Sequence, residues 1–198
     1  MKLKPGLEQS AKELVESAEQ EVARLATITR QTLAPHREAK LPGITKLSEL
    51  LDDVVALFSG RLESAAIEVR REYQIEGEVS IYPGDFRQVF TNLIANAIDA
   101  MGCDGELRLA IEKSPESEVI VRISDSGCGI PRENLDAIFE PFFTTKGDKG
   151  TGIGLWVIKG IVEKVGGKIE VVSSTTGKTG TCFSISIPAN AGSDRVVN

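Results

Sequence analysis

Two asparagines and one aspartate form a polar stripe in a segment that is otherwise largely apolar. Asn92, Asn96 and Asp99 are spaced i, i+4 and i+7 within 87–101, so they lie on one face if this segment is a helix. Asparagine is a mediocre helix former, and two of them in the middle of a helix need a reason. One interpretation is a solvated face. The other is a set of oxygen ligands for a hard cation, magnesium carried in with nucleotide phosphates.

A glycine-rich segment indicates an anion site. After IFEPFFTTK, which begins at Ile138, glycines alternate at Gly150, Gly152 and Gly154 and lead into a helix predicted over 154–165. Glycine reaches backbone angles closed to other residues, so the chain can wrap an anion and point successive N–H groups at it. The helix start adds the positive end of its dipole. A glycine triplet before a helix is equally typical of a structural turn, so this segment alone leaves both interpretations open.

A buried carboxylate is predicted at the end of a strand. Val121, Ile123 and Asp125 alternate along VIVRISD, so they project from one face and the carboxylate leaves the sheet on the core side. Such a carboxylate needs a donor, and Gly127 and Gly129 leave room for a flat ligand. The amino group of a purine would suit. The alternative is that Asp125 caps the turn in DSG.

A threonine near the end of the chain could share that ligand. The strand predicted over 181–187 places Thr181 on the same face as Phe183 and Ile185. Thr181 could then sit beside Asp125 and contact the same ligand or a bridging water. Threonine at the start of a strand is also simply a good strand former, so this residue gains meaning only from its neighbours.

In this order and at these separations, the four segments resemble the catalytic ATP-binding domain of sensor histidine kinases. That domain belongs to a superfamily shared with gyrase-type and heat-shock chaperone ATPases, and the resemblance covers roughly Thr45 to Pro188. The helix with the two asparagines resembles the N box, IFEPFFTTK the F box, and DSGCGIP and GTGIGL the two glycine boxes. Ile153 stands where leucine is commoner, and the lid over 147–149 is short, which predicts a compact cover.

The resemblance implies ATP and Mg2+ as cofactors. It implies that Asn96 coordinates magnesium with help from Asn92, and that Asp125 accepts a hydrogen bond from the adenine amino group. Lys146 and the three alternating glycines would hold the triphosphate, and the implied catalytic residues are Asn92, Asn96 and Lys146. The full set implied at the nucleotide is Asn92, Asn96, Asp99, Asp125, Gly127, Gly129, Ile130, Phe139, Phe143, Thr144, Thr145, Lys146, Gly150, Thr151, Gly152, Ile153, Gly154, Leu155 and Thr181.

Asn92 and His36 indicate which reaction the ATP-binding domain would catalyse. In the related hydrolysing ATPases a glutamate that activates water stands four residues before the magnesium asparagine, and Asn92 is not a base. This favours transfer over hydrolysis, because a neutral histidine already offers a lone pair. The single histidine of the chain, His36, follows Pro35 and precedes Arg37, whereas acceptor histidines of the family lie on a helix before an acidic residue. We interpret His36 as a surface or loop residue and expect the acceptor elsewhere.

The chain divides into three predicted regions. Residues 1–40 form one amphipathic helix, whose apolar side chains step by threes and fours from Leu7 to Leu25. It resembles the second helix of the kinase dimerisation hairpin. A lone helix has no core, so its seam must dock on the catalytic domain or on another copy, giving a homodimer. Residues 41–188 form the ATP-binding domain, and 189–198 a disordered tail.

Net charge, cysteine spacing and the lengths of apolar runs limit the kinds of partner that the sequence predicts. The 198 residues carry a net charge of -6, which argues against a nucleic-acid partner. Three cysteines, Cys103, Cys128 and Cys182, show no metal-binding spacing and are interpreted as reduced thiols. No apolar run reaches membrane length, so we expect a cytoplasmic chain without membrane contact from this segment, although a longer protein could be membrane-anchored.

The order of helical and strand patterns predicts an α+β fold. It is a two-layer α/β sandwich, in which helices cover one face of a mixed, mostly antiparallel sheet, preceded by the long amphipathic helix. Within it we predict a capping box at Asp85 and Gln88, one helix over 49–64 capped by Ser48, and a short helix over 133–138.

Three functions are compatible with the sequence. The first is the ATP-binding part of a two-component histidine kinase, whose acceptor helix lies outside this sequence and whose phosphoryl group passes to a response regulator receiver domain. The second is a serine kinase of the anti-sigma type, against which the dimerisation-type helix argues. The third is a non-catalytic nucleotide-dependent binding module, against which the intact Asn96, Asp125 and glycine boxes argue.

Overall fold

A computed structural model describes residues 42–147 and 150–189. The described residues do not include the predicted N-terminal helix, His36, the last two residues of the predicted lid, or the predicted tail after its first residue. The elements, in chain order, are β1 (Gly43–Lys46), α1 (Leu47–Leu57), α2 (Ser59–Ser64), β2 (Ile67–Tyr73), β3 (Glu78–Ile81), α3 (Pro83–Met101), β4 (Gly105–Lys113), β5 (Val119–Asp125), α4 (Gly154–Lys164), β6 (Lys168–Ser174) and β7 (Gly180–Ile187).

A five-stranded sheet in the order β2-β4-β5-β7-β6 forms one layer. Strands β2 and β4 run parallel, and every other neighbouring pair is antiparallel. Strands β1 and β3 form a separate antiparallel ribbon. The prediction of a mixed, mostly antiparallel sheet with helices packed on it is therefore confirmed. None of the helices within the described residues combines the length and the apolar character needed to span a bilayer.

Alternation along the central strands separates a buried face from a partly exposed one. In β4 the odd-numbered Leu107, Leu109 and Ile111 are fully buried, and in β7 Phe183, Ile185 and Ile187 repeat the pattern. Side chains two residues apart in a strand share a face, so the buried residues form one apolar surface. Helices α3 and α4 pack on this surface and on each other.

Helix α3 presents a continuous apolar side to the sheet. Its buried side chains recur every three or four residues, as the sequence predicts for a helix with one covered face. The periodicity fixes how the helix is rotated about its axis, and so which side is left for polar residues. The buried residues are Phe86, Val89, Phe90, Leu93, Ile94, Ala97 and Ile98.

The predicted capping box at the start of α3 is wrong. The helix begins at Pro83 and its N-cap is Tyr82, and within the described part of the chain no side chain caps it. Proline at the first helical position has the required φ and no N–H to be satisfied, so the helix starts earlier than the capping signal indicates. Asp85 instead accepts a hydrogen bond at 3.0 Å from Lys164 Nζ at the end of α4, which ties the two helices together.

Two further helix predictions differ from the structure. The predicted helix over 49–64 is divided at Phe58 into α1 and α2, and Lys46 rather than Ser48 is the N-cap. Ser59 and Gly60 follow the break, and both are weaker helix formers than alanine or leucine. The predicted helix over 133–138 is a 3-10 helix at Arg132–Asn134 followed by turns.

The chain turns sharply before α4 at one glycine. Gly152 has a φ of +65°, and a Cβ there would lie 2.4 Å from the carbonyl carbon of Phe142. Gly150 and Gly154 do not have positive φ angles, so the expectation of special backbone angles holds for Gly152 among the three. A Cβ on Gly154 would meet nothing closer than Asn92 Nδ2, at 3.8 Å.

Paired alanine substitutions test this turn. We expect Gly152→Ala to lower the free energy of unfolding by at least about 1–2 kcal/mol, because alanine is strained at positive φ and its Cβ would clash. Gly154→Ala should change it by less than about 0.5 kcal/mol, because the methyl group fits. Urea denaturation followed by circular dichroism measures both. Equal effects of the two substitutions would contradict the geometry.

Candidate functional site

A cavity of about 510 Å³ opens beside the polar stripe of α3. Its wall continues through the loop after β5 and the segment before α4, and the start of β7 closes it. All but three of the predicted nucleotide-site residues line it. Those that do are Asn92, Asn96, Asp99, Asp125, Gly129, Ile130, Phe143, Thr144, Thr145, Lys146, Gly150, Thr151, Gly152, Gly154, Leu155 and Thr181.

The three predicted residues that do not line the cavity lie just behind its wall. A Cβ on Gly127 would come 2.7 Å from the backbone of Ala100, so the absence of a side chain lets this loop lie against the end of α3. Phe139 packs edge-on against Phe183, with ring centroids 6.5 Å apart. Ile153 is 4% exposed and belongs to the buried apolar set. Their contacts indicate support of the wall rather than contact with a ligand.

A lysine from the segment before α4 reaches the polar stripe. Lys146 Nζ donates to Asn96 Oδ1 at 2.9 Å and to Asp99 Oδ2 at 2.6 Å. Arg61, from α2, donates to the other oxygen of Asp99 at 2.8 Å. Burial by itself favours the neutral acid, but hydrogen bonds from Lys146 and Arg61 outweigh it and lower the pKa of Asp99. The stripe therefore presents oxygens that already attract cations.

Asn92 occupies a different position on the same stripe. Its Nδ2 is buried and has no hydrogen-bond partner among the described residues. It lies next to Gly154, the first residue of α4, where backbone N–H groups and the positive end of the helix dipole are found. A buried amide donor without a partner is costly, so this position favours a ligand that brings an acceptor. Phosphate oxygens are acceptors of this kind.

Asp125 and Thr181 lie side by side at the end of the sheet. They are directly paired across β5 and β7, and Thr181 is 5% exposed. Asp125 Oδ1 accepts the Gly127 N–H at 2.9 Å, so the turn-capping interpretation is correct, and the same carboxylate also lines the cavity. Burial raises the pKa of Asp125, and hydrogen bonds from the Gly127 and Thr181 backbone offset part of this rise.

Several lining residues are absent from the sequence-based prediction. Ala95 and Ala100 lie three and eight positions after Asn92, so helical spacing could have identified them, and Cys128 stands between two predicted glycines. Asn134 lines the cavity from the turns after the first glycine box. Arg61 does not line this cavity but donates to Asp99, which lies 38 residues away along the chain. No spacing rule connects these last two with the site.

Asn96 and Asp99 offer side-chain oxygens to a cation, but the described residues do not surround that position with many metal ligands. Across 42–147 and 150–189, no group of three or more His, Cys, Asp or Glu side chains is placed to hold a metal ion. A hard cation at the stripe would therefore take most of its ligands from water or from a phosphate-bearing ligand, which is common for magnesium.

Comparison with known proteins identifies the family. The model of the histidine kinase-, DNA gyrase B- and HSP90-like ATPases matches residues 82–191, more than half of the chain. The sensor histidine kinase ZraS of Salmonella typhimurium is 35% identical over 181 residues, which cover 90% of this chain and 38% of ZraS. The chain spans well under half the length of the curated relatives it matches.

Solved structures agree with this result. The nucleotide-free catalytic domain of histidine kinase ThkA superposes with a TM-score of 0.68 at 33% identity, covering 76% of this chain and 97% of that domain. Histidine kinase ThkA in complex with response regulator protein TrrA gives a TM-score of 0.69 at 29% identity, covering 97% of this chain and 54% of ThkA. The chain therefore belongs to the family of histidine kinase-, DNA gyrase B- and HSP90-like ATPases, as a catalytic domain of the sensor histidine kinase type.

Proposed function

We propose that this chain is the ATP-binding catalytic part of a two-component histidine kinase. It would transfer the γ-phosphoryl group of Mg-ATP to a histidine other than His36, for relay to a response regulator. The observation that carries the proposal is the convergence on one cavity of the acceptor pair Asp125 and Thr181 with the stripe and Lys146. Asp125 and Thr181 suit an adenine, and the stripe with Lys146 suits a metal-bound triphosphate.

Adenine recognition follows from the acceptors. An ionised carboxylate has no proton to donate, so Asp125 suits a ligand group that carries N–H bonds. Its Oδ1 is held by the Gly127 N–H, which orients the side chain. An exocyclic purine amine would supply a further donor beside those of the Gly127 and Thr181 backbone. Apolar lining residues such as Ile130 and Leu155 suit the faces of the base.

The stripe fits magnesium. Asn96 Oδ1 and an oxygen of Asp99 already share the ammonium group of Lys146, so they form an oxygen site that is attractive to a cation. Asn96 would hold the ion, with Asn92 beside it, and Lys146 would turn to the phosphates. When bound, the cation neutralises charge on the phosphates. Asn92 Nδ2 and the start of α4 would position phosphate oxygens.

Transfer rather than hydrolysis is supported by the residue types at the stripe. Asn92 is an amide and cannot take a proton from water. A histidine acceptor needs no such base, because its neutral ring is already a nucleophile. Positioning and charge neutralisation then carry most of the rate enhancement.

The partners follow by comparison. Because histidine kinase ThkA forms a complex with the response regulator TrrA, we propose a receiver domain as the partner of the whole protein. The acceptor would lie on the first helix of a dimerisation hairpin, of which residues 1–40 would be the second, and a homodimer would form through that helix. Residues 41–188 would be the catalytic unit. A longer protein would be cytoplasmic at this segment and could be anchored elsewhere.

The first functional prediction concerns Asp125. Asp125→Asn should weaken ATP binding about ten- to a hundred-fold, because it removes a charge-assisted hydrogen bond worth roughly 1.5–3 kcal/mol. Titration calorimetry with a non-hydrolysable ATP analogue measures this. Unchanged affinity in a folded variant would refute the assignment of Asp125 to adenine.

The same variant allows a stability control. Because burial raises the pKa of Asp125 in the folded state, ionisation costs folding free energy at pH values above the unfolded pKa. The stability of the wild type relative to Asp125→Asn should therefore fall as pH rises from about 4 through the raised pKa, then level off. Urea denaturation of both proteins across this range measures the change, and a variant that is folded at pH 7 separates a loss of affinity from unfolding.

The second functional prediction concerns the stripe. Asn96→Ala should abolish the magnesium-dependent part of ATP affinity and leave adenosine binding nearly unchanged, because the stripe contacts the cation and not the base. Asn134→Ala is the matched control, since Asn134 lines the same cavity away from the stripe. Affinities with magnesium and with chelator give the comparison. A wild type without magnesium dependence would contradict the ligand role of Asn92 and Asn96.

The third functional prediction concerns the reaction. The chain alone should bind ATP, turn it over slowly and not label itself. A separate hairpin fragment that carries a histidine should become phosphorylated, weakly because the effective concentration of covalent linkage is lost. Incubation with γ-labelled ATP followed by acid treatment identifies acid-labile phosphohistidine. Self-labelling that disappears in His36→Gln, or acid-stable label on a partner, would contradict the proposal.

A further inference from the structure

A row of three polar side chains crosses the sheet at the cavity. Ser173 of β6 is paired with Thr181 of β7, and Thr181 is paired with Asp125 of β5. Paired residues in adjacent strands project to the same face, so the three side chains stand next to one another. Thr181 and Asp125 line the cavity, whereas Ser173 lies behind Thr181 and is not among the lining residues.

The hydroxyl group of Ser173 makes three contacts. Ser173 Oγ is 2.9 Å from the carbonyl oxygen of Gly180, 2.9 Å from Thr181 Oγ1, and 2.8 Å from the backbone nitrogen of Ile130. A carbonyl oxygen only accepts, and a backbone N–H only donates. Ser173 therefore gives its single proton to Gly180 and accepts from Ile130.

Only one proton assignment makes all three contacts hydrogen bonds. The proton of Ser173 is used at Gly180, so in the third contact Thr181 must donate and Ser173 must accept. The Thr181 hydroxyl proton then points toward Ser173, which does not line the cavity, so the hydroxyl group has only lone pairs to offer a ligand. Together with the Asp125 carboxylate, the wall offers acceptors and no hydroxyl donor at this point.

We propose that Ser173 is a specificity-determining residue, which positions the Thr181 proton so that the site accepts 6-aminopurine nucleotides and rejects 6-oxopurine nucleotides. This inference rests on the proposed nucleotide-binding function. A 6-amino group donates to an all-acceptor wall. A 6-oxo group would face lone pairs there and would leave its own acceptor unpaired, which is a strong basis for discrimination.

Removal of the Ser173 hydroxyl group should leave the Thr181 hydroxyl group free to rotate. In Ser173→Ala, Thr181 has lost its acceptor and its hydroxyl can rotate toward the cavity, where it can donate to a 6-oxo group. The ratio of two nucleotide affinities within one variant reports this change, because a general loss of packing weakens both ligands. ADP and IDP are suitable probes, since the base of IDP carries a 6-oxo group in place of the amine.

Titration calorimetry of ADP and IDP tests the proposal. The wild-type preference for ADP should fall about three- to tenfold in Ser173→Ala, the worth of one neutral hydrogen bond. Ser173→Thr keeps a hydroxyl group and should keep the preference. Ser174→Ala is the matched control, because the hydrogen bonds of Ser174 Oγ to described residues are with Thr176 of its own turn, and the change should not alter the ratio.

A double variant identifies the proton involved. Adding Thr181→Val to Ser173→Ala removes the released donor and should restore the preference for ADP. An unchanged ratio in Ser173→Ala, or equal ratios in the single and double variants, would overturn the role of Ser173 while leaving nucleotide binding intact. Failure of the wild type to bind ADP would instead overturn the proposed function, and this inference with it.

Discussion

Burial of one side of α3 against the sheet fixes the position of the polar stripe on which the rest of the site depends. Seven side chains from Phe86 to Ile98 are covered, and rotation of the helix would expose part of this set at about 1.5–3 kcal/mol per large side chain. Asn92, Asn96 and Asp99 are consequently held at the cavity by contacts made on the opposite side. The site needs no separate device to orient these residues.

The ion pairs at the stripe are partly exposed to solvent, unlike the buried apolar side of α3. Lys146 and Asp99 are 42% and 41% exposed at their side chains, so solvent screens their attraction. Such a pair exchanges partners at low cost, as a lysine must if it engages a carboxylate before a ligand arrives and a phosphate afterwards. Hydrophobic burial therefore fixes the helix, whereas the charged side chains on its polar face are held together only weakly.

Periodicity accounts for what could be predicted from the sequence. The 3.6-residue period gave the covered face of α3, and the alternation in β5 and β7 placed Asp125 and Thr181 on one face, because both are local properties of the chain. Their direct pairing depends on register, which the alternation restricts but does not determine. The assignments of these residues to adenine, metal and phosphate remain predictions.

Contacts between distant segments could not be predicted in this way. Arg61 of α2 reaches Asp99 of α3 although 38 residues separate them along the chain, and no local signal in the sequence predicts that these two helices meet there. The contacts of Ser173 with Thr181 and Ile130 also join separate segments, because they lie 8 and 43 residues from Ser173 along the chain. The capping box failed for a different reason, since Pro83 starts the helix before the capping signal applies.

The tie between Asp85 and Lys164 has a consequence for the thermodynamics of binding. Helix α4 is held on α3 by the buried side chains of Ile158, Ile161 and Val162, and this ion pair adds a contact near its last residue. The N–H groups of its first turn therefore keep their directions before any ligand is present. An anion arriving there meets a preorganised surface, and little of its binding free energy is lost to ordering the helix.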